Sequence, residues 1–107
     1  MLKKQYLSDR KTCKVTFTID HGAAREASRV ALVGDFTAWS DTAHPMQRLR
    51  SGSFSTTVKL ACGKSYEFRY LVDGASWEND AAADAYAPSP FGGSDNSVVT
   101  VKAAGKR

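Results

Sequence analysis

The sequence predicts an all-β sandwich, one domain of about seven short strands. Its 107 residues suit a single domain and leave no room for a glycosidase barrel, which needs roughly 250 residues. Apolar and polar side chains alternate with a period of two in several segments. Turn residues separate these segments every ~8–12 residues, and almost no segment has a helical period. Together these patterns are typical of a sandwich.

The chain begins with two contrasting segments. Residues 1–13 are polar and aperiodic, so they are expected to form a flexible lead-in. Residues 14–20 alternate cleanly, with Val15, Phe17 and Ile19 on one face. The first strand of a domain spanning residues 14–102 is therefore predicted here.

Three further strand segments are predicted between residues 29 and 60. Residues 29–33 are apolar enough for a central strand, which ends in a turn at 34–40. The stretch around Met46 and Leu49 is predicted to be a short extended piece. Residues 53–60 alternate again and form the next strand.

The strongest predicted strand is 66–72, because aromatic side chains occupy alternate positions and Arg69 falls on the opposite face. The Asp73-Gly74 turn then predicts a hairpin whose return strand begins at Trp77. A three-residue loop would pair Leu71 with Trp77 and leave Arg69 diagonal to the indole on the same face. A two-residue loop would turn Trp77 into the core.

The last third of the chain contains a loop, a strand and a tail. Residues 81–91 are predicted to be a long loop whose alanine-rich start could form one helical turn. Residues 96–102 are predicted to form the last strand. Residues 103–107 are expected to be a basic C-terminal tail.

The distribution of charge argues against a nucleic-acid partner. The net charge is +4, but residues 1–14 and 102–107 hold eight basic residues against Asp9 alone. Residues 15–101 carry seven basic and ten acidic side chains. A nucleic-acid binder would place its basic patch on the fold itself. The basic ends are interpreted as solubilising segments.

A membrane is also not an expected partner. No apolar run approaches the ~20 residues that cross a bilayer. The start of the chain lacks the apolar stretch of a secretory signal. A cytoplasmic location is therefore expected.

The reactive side chains form no catalytic or metal-binding pattern. Most of the eleven acidic residues lie at turns or strand ends, where they are expected to be solvated, and none is spaced as an acid–base pair. Cys13 and Cys62 cannot complete a zinc site and are expected to be free thiols. His21 and His44 lie far apart without a partner motif. No enzyme activity, metal or cofactor is predicted.

The two tryptophans are more informative than the charged residues. Trp39 and Trp77 both lie at turns, outside the apolar stripe of any strand. An exposed indole can cover the C–H face of a pyranose ring, while nearby polar groups bind its hydroxyls. The alternative is that both indoles cap the core. Arg69 has a similar alternative as a solvated charge.

The sequence resembles the glycogen-binding module family. The similarity is carried, in order, by Gly34-Asp-Phe-Thr-Ala-Trp-Ser40, Tyr66-Glu-Phe-Arg-Tyr-Leu-Val-Asp-Gly74, Trp77 and Asn96-Ser-Val-Val-Thr-Val101. This family includes the β subunit of AMP-activated protein kinase and the early-set N-terminal domains of isoamylases and glycogen branching enzymes. The resemblance implies an immunoglobulin-like sandwich with a shallow α-1,4-glucan site.

The resemblance also implies roles for particular residues. By position, Trp39 and Trp77 match the stacking tryptophans, Arg69 stands where a lysine is common, and Asn96 matches an asparagine that binds sugar hydroxyls. Two further candidates come from the same comparison, Ser94 in place of a threonine and Phe91 in place of a leucine.

Two functions follow from these expectations. The first is non-catalytic binding of α-glucan such as glycogen, starch or maltooligosaccharide, with a glycogen-metabolism enzyme as a further candidate partner. The second is a protein-interaction or scaffolding domain, associated with glycoside hydrolases, that binds no sugar of its own. Burial of both indoles would favour the second.

Overall fold

The computed structural model of this chain describes residues 2–8, 11–20, 27–39, 44–89 and 95–102. These residues form strands and one short 3₁₀ helix, Asp35–Thr37. The strands are β1 (Leu2–Tyr6), β2 (Thr12–Ile19), β3 (Val30–Gly34), β4 (His44–Pro45), β5 (Gln47–Arg48), β6 (Phe54–Ala61), β7 (Lys64–Val72), β8 (Ser76–Glu78), β9 (Ala85–Pro88) and β10 (Asp95–Val101).

The strands form two antiparallel sheets, which confirms the predicted all-β sandwich. One sheet has the order β1-β2-β6-β5. The other has the order β4-β3-β7-β10-β9, and β8 pairs with the end of β7. β7 is therefore the central strand of the second sheet, with β3 on one side and both β10 and β8 on the other.

The core lies between the two sheets and follows the period-two pattern of the sequence. In β2, Val15, Phe17 and Ile19 are buried, while the residues between them are more exposed. From β7, Phe68 and Tyr70 enter the same core, and the rings of Phe17 and Phe68 meet edge to face with centroids 4.9 Å apart. Burial of each such side chain contributes about 1.5–3 kcal/mol.

The prediction of a flexible lead-in at residues 1–13 does not hold for Leu2–Tyr6. This segment is β1, paired antiparallel with β2. Lys4 Nζ lies 2.7 Å from Asp84 Oδ2, and the Tyr6 hydroxyl accepts a 3.0 Å hydrogen bond from the Lys102 amide. Pairing with β2 and these distant contacts order β1, although its sequence lacks the alternating apolar pattern by which a strand is predicted.

A second difference concerns the loop predicted at 81–91. Within it, Ala85–Pro88 is strand β9, paired with β10 along the edge of the sheet. Proline is compatible with an edge strand because no neighbour needs its missing N–H group. Ten strand segments are present in the described residues, rather than about seven.

Two other features complete the fold. Cys13 and Cys62 are separate thiols, and burial raises the pKa of the Cys13 thiol. In the part of the chain that the structure describes, no helix has the length and apolarity required to span a membrane.

Candidate functional site

The candidate site lies on the outer face of the second sheet, opposite the core. Phe68 and Tyr70 of β7 point inward, and the alternating positions Glu67, Arg69 and Leu71 therefore face outward. This confirms the predicted distribution of residues between the two faces of β7. The outward residues form a line along the centre of the sheet.

Arg69 is linked to Asn96 and Glu67 across this face. Arg69 Nε donates a 2.6 Å hydrogen bond to Asn96 Oδ1. Asn96 Nδ2 donates a 2.9 Å hydrogen bond to Glu67 Oε1. Arg69 and Glu67 are partly buried, whereas only 4 % of Asn96 is exposed. The buried Asn96 amide thus links the Arg69 guanidinium to the Glu67 carboxylate.

Trp77 lies beside this line because of the register of the β7–β8 hairpin. Val72 pairs with Ser76, which leaves a three-residue loop, and Leu71 pairs with Trp77. This is the longer of the two predicted loops. Paired residues share a face of the sheet, so Trp77 lies on the outer face. Its side chain is 46 % exposed.

The hairpin loop is fixed by Asp73, whose carboxylate binds the segment before β3. Asp73 Oδ1 accepts hydrogen bonds from the backbone N–H groups of Ser28 (2.8 Å) and Arg29 (3.0 Å), and the Asp73 amide donates to the Arg29 carbonyl (2.9 Å). The bonds from Arg29 and Ser28 lower the pKa of Asp73 below its ordinary value. Asp73 therefore helps to fix the loop length on which the position of Trp77 depends.

Trp39 lies at the end of the turn that follows β3. Ala38 and Trp39 have left-handed backbone conformations, with φ of 54° and 60°. Such conformations are unfavourable for residues other than glycine, so the surrounding structure has to impose them. Hydrogen bonds from the Trp39 amide to Gly34 O (3.0 Å) and from the Ala38 amide to Asp35 O (3.3 Å) hold this turn.

Asp35 connects the Trp39 indole to β7. Trp39 Nε1 donates to Asp35 Oδ1 at 3.0 Å, and the backbone N–H of Glu67 donates to Asp35 Oδ2 at 2.8 Å. The polar edge of the indole is thus satisfied by protein, while 38 % of the side chain remains exposed. The Asp35 carboxylate thus joins the indole N–H to the backbone of β7 at Glu67.

The two indoles are therefore attached to β7 on either side of Arg69. Trp39 is attached at Glu67 through Asp35, and Trp77 is attached at Leu71 through strand pairing. Glu67 and Leu71 are four positions apart on the extended strand, which corresponds to about 13 Å. A short oligosaccharide can extend over such a distance.

A shallow groove adjoins this surface on the side of β3 and β4. Its volume is about 350 Å³, and its outer lining includes Ala31, Pro45, Leu71 and the guanidinium-bearing Arg29. Ala31 pairs with both Leu71 and Pro45, so the groove lies in the same lateral row of the sheet as Trp77.

Asp80 departs from the prediction that the acidic residues are solvated. It is 2 % exposed, and its Oδ2 accepts a 2.7 Å hydrogen bond from the Tyr70 hydroxyl. Burial, followed by this contact with Asp80, raises the pKa of Tyr70, which remains a donor. The Asp80 amide donates to Ser97 Oγ (2.9 Å), and the Tyr86 hydroxyl donates to the Asp80 carbonyl (2.5 Å). Asp80 therefore joins β7, β9 and β10 directly after β8.

The remaining predicted site residues cannot be placed in this geometry. Ser94 and Phe91 lie outside the described residues. The structure instead adds Asp35, Glu67 and Asp73, which were not predicted from the sequence as site residues. The only signal for Asp35 was its place in the Gly-Asp-Phe turn.

Comparison with solved structures supports the fold. The enterobactin esterase FES of Shigella flexneri, solved with 2,3-dihydroxy-N-benzoyl-serine, superposes with a TM-score of 0.73 at 15% identity, covering 99% of this chain and 34% of that one. A structure of enterochelin esterase from Shigella flexneri gives a TM-score of 0.72 at 15% identity, with 99% and 34% covered. This chain thus spans about a third of the length of these esterases.

Comparison of sequences identifies the family. No curated protein matches the chain in a sequence search. A family model does match, over residues 23–87, which is more than half of the chain. That span includes Trp39, Arg69 and Trp77. The chain belongs to carbohydrate-binding module family 48, the family of the isoamylase N-terminal domain.

Proposed function

We propose that this chain binds α-glucan without catalysis, and that Trp39 and Trp77 stack against glucose rings. The observation that carries the proposal is the exposure of both indoles, 38 % and 46 %, at two attachment points on β7 with Arg69 between them. Membership of a carbohydrate-binding family supports a sugar as the ligand. Glycogen, starch and maltooligosaccharides are the glucans proposed.

The chemistry of the three side chains suits a pyranose ring. An indole face covers the apolar C–H groups of a sugar, and this removes apolar surface from water. A guanidinium offers N–H donors to the hydroxyl rim. Asn96, Ser94 and Phe91 complete the set of contacts predicted from the sequence.

The affinity is expected to be weak. One exposed indole lies at a turn and the other in a hairpin of the sheet, and a site as open as this covers only part of the ligand. We expect dissociation constants from micromolar to millimolar, on the order of −4 to −8 kcal/mol. Repeated glucose units along a polysaccharide would raise the apparent affinity for the polymer.

A catalytic partner is a second element of the proposal. The solved esterases that share this fold are about three times as long as this chain, so the same fold occurs within larger enzymes. We propose that the chain acts beside a glycogen-metabolism enzyme. A scaffolding domain without sugar binding is the competing function, and the exposure of both indoles favours glucan binding over it.

Calorimetric titration with maltoheptaose and β-cyclodextrin tests the proposal. Wild type should release heat on binding, and Trp39→Ala or Trp77→Ala should remove most of that binding while the far-ultraviolet spectrum is unchanged. Tyr6→Ala is the matched control because Tyr6 is also an exposed aromatic residue, 41 % accessible, but lies in the other sheet. Absence of heat from wild type at millimolar sugar would contradict the proposal.

A further inference from the structure

We propose that Glu67 accepts hydrogen bonds from the hydroxyls of the bound sugar, and that Asn96 positions Glu67 and Arg69 without touching the sugar itself. This inference rests on the proposed α-glucan binding and assigns roles within the same site. It gives Glu67 a part in recognition, and it changes the role that the sequence predicts for Asn96.

The burial of Asn96 is the first step. Only 4 % of this residue is exposed, and both ends of its amide bind protein. Its Oδ1 accepts from Arg69 Nε at 2.6 Å, and its Nδ2 donates to Glu67 Oε1 at 2.9 Å. A sugar lying on the surface would meet Arg69 and Glu67 before it could reach this amide.

The free side of the Glu67 carboxylate is the second step. Oε1 accepts from Asn96, whereas Oε2 receives no hydrogen bond from the described part of the chain. An ionised carboxylate has about four acceptor sites, so capacity remains for a ligand. The backbone of Glu67 is also linked to Trp39, since the Glu67 backbone N–H and the Trp39 indole N–H bind the same Asp35 carboxylate.

The third step is the complementarity of the two charged groups toward a sugar. Each sugar hydroxyl is both a donor and an acceptor, but a guanidinium can only donate. Arg69 therefore satisfies the lone pairs of the hydroxyls and leaves their O–H groups without a charged acceptor. Glu67 supplies that acceptor, and hydrogen bonds to ionised groups are roughly twice as strong as neutral ones. A neighbouring pair of hydroxyls fits this donor and acceptor together.

Titration of β-cyclodextrin into Glu67→Gln tests the role of the carboxylate. Gln retains an oxygen that can accept from Asn96, so the fold should be preserved. The dissociation constant should rise roughly tenfold, which corresponds to about 1.4 kcal/mol. Glu78→Gln is the matched control: Glu78 pairs with the inward-facing Tyr70, so it lies on the opposite face from Trp77, and its variant should bind as wild type does.

A chemically modified ligand adds a readout that altered folding would not change. β-Cyclodextrin methylated at O2 and O3 lacks the corresponding O–H donors. Wild type should lose more affinity on this modification than Glu67→Gln does, because the variant has already lost the charged acceptor. Equal losses in the two proteins would overturn the assignment of Glu67.

The positioning role of Asn96 is tested with a double-mutant cycle. Asn96→Ala should weaken binding, and combining it with Glu67→Gln should add little, since Asn96 acts in part through Glu67. Fully additive losses between folded variants would overturn the positioning role. Glu67→Gln binding like Glu78→Gln would overturn this inference and leave glucan binding intact, whereas a wild type that binds no glucan would overturn both.

Discussion

Trp39 and Trp77 are both exposed on the molecule, but different parts of the structure hold them. Trp77 lies in a regular hairpin, where pairing of Leu71 with Trp77 determines its face. Trp39 lies in a left-handed turn, and a side-chain hydrogen bond from its indole to Asp35 fixes its edge. The position of Trp77 follows from backbone register, whereas that of Trp39 depends on a left-handed turn and on one carboxylate.

A different aspartate stabilises the segment that holds each tryptophan. Asp35 binds the Trp39 indole directly and joins it to the Glu67 amide. Asp73 accepts bonds from backbone N–H groups before β3 and holds the hairpin loop instead of the indole. Changes near Asp35 should therefore affect one ring, whereas changes at Asp73 should affect the stability of the hairpin.

Gly34→Ala should destabilise the protein most, because Gly34 lies where β3 meets β7 and begins the turn that leads to Trp39. A Cβ atom at Gly34 would lie 2.5 Å from the Glu67 carbonyl oxygen and 2.9 Å from Phe68 Cβ. β3 and β7 would have to separate, which should cost about 1–3 kcal/mol of unfolding free energy. Urea denaturation measures this loss, and a variant with the wild-type midpoint would show that the strands can adjust freely.

Asp35→Ala should have a smaller effect on stability, and it should act on Trp39 and the Glu67 amide and not on Trp77. Removal of both acceptor oxygens should lower the unfolding free energy by about 1 kcal/mol. The loss is this small because Asp35 is exposed, and hydrogen bonds of an exposed carboxylate contribute less to stability than those of a buried one. It should also weaken glucan binding, since the indole loses its fixed edge. Asp35→Asn, which retains one acceptor oxygen, should fall between the two. Equal sugar affinity in Asp35→Ala and wild type would contradict the role of Asp35.

Ala38→Gly should relieve backbone strain in the turn that holds Trp39. Glycine adopts the observed φ of 54° without the Cβ penalty, although its unfolded state is more flexible. The net result should be a gain in unfolding free energy of about 0.5–1 kcal/mol, measured by thermal or urea denaturation. Destabilisation by this change would mean that the turn is not strained.

Asp73, in the hairpin loop before Trp77, should make a small contribution to the pH dependence of stability. Because the folded pKa of Asp73 is lowered from 3.8, its stabilising contribution is complete above that value and is lost as pH falls through the folded pKa. Asp73→Asn keeps an acceptor and tolerates the observed φ of 53°, but it cannot titrate. Below the ordinary pKa, wild-type stability should therefore fall more steeply than that of the variant. Parallel curves would contradict this.

The face of Trp77 could be predicted from sequence because it follows from local rules. Alternation in β7 assigns Arg69 and Leu71 to the outside, and the loop length after Val72 then decides the face of Trp77. The sequence left two loop lengths open. The contacts of Asp73 with Ser28 and Arg29, about 45 residues earlier in the chain, hold the longer one.

Features that depend on distant contacts could not be predicted in this way. β1 is polar and becomes a strand through pairing with β2 and contacts to Asp84 and Lys102. Asp80 occupies a turn-like stretch of sequence, yet Tyr70 and Ser97 satisfy it in the interior. The burial of Asn96 likewise depends on where the chain returns beside β7, and residue type alone does not reveal it.

If the two indoles form one sugar-binding surface, both must respond to the same sugar. Nuclear magnetic resonance of the indole N–H groups measures this response. The chain has two tryptophans and hence two indole N–H signals, which Trp39→Phe and Trp77→Phe would assign. On titration with β-cyclodextrin, both signals should shift and give the same dissociation constant. If only one indole responds, or if neither does at millimolar sugar, the two rings do not form a common site.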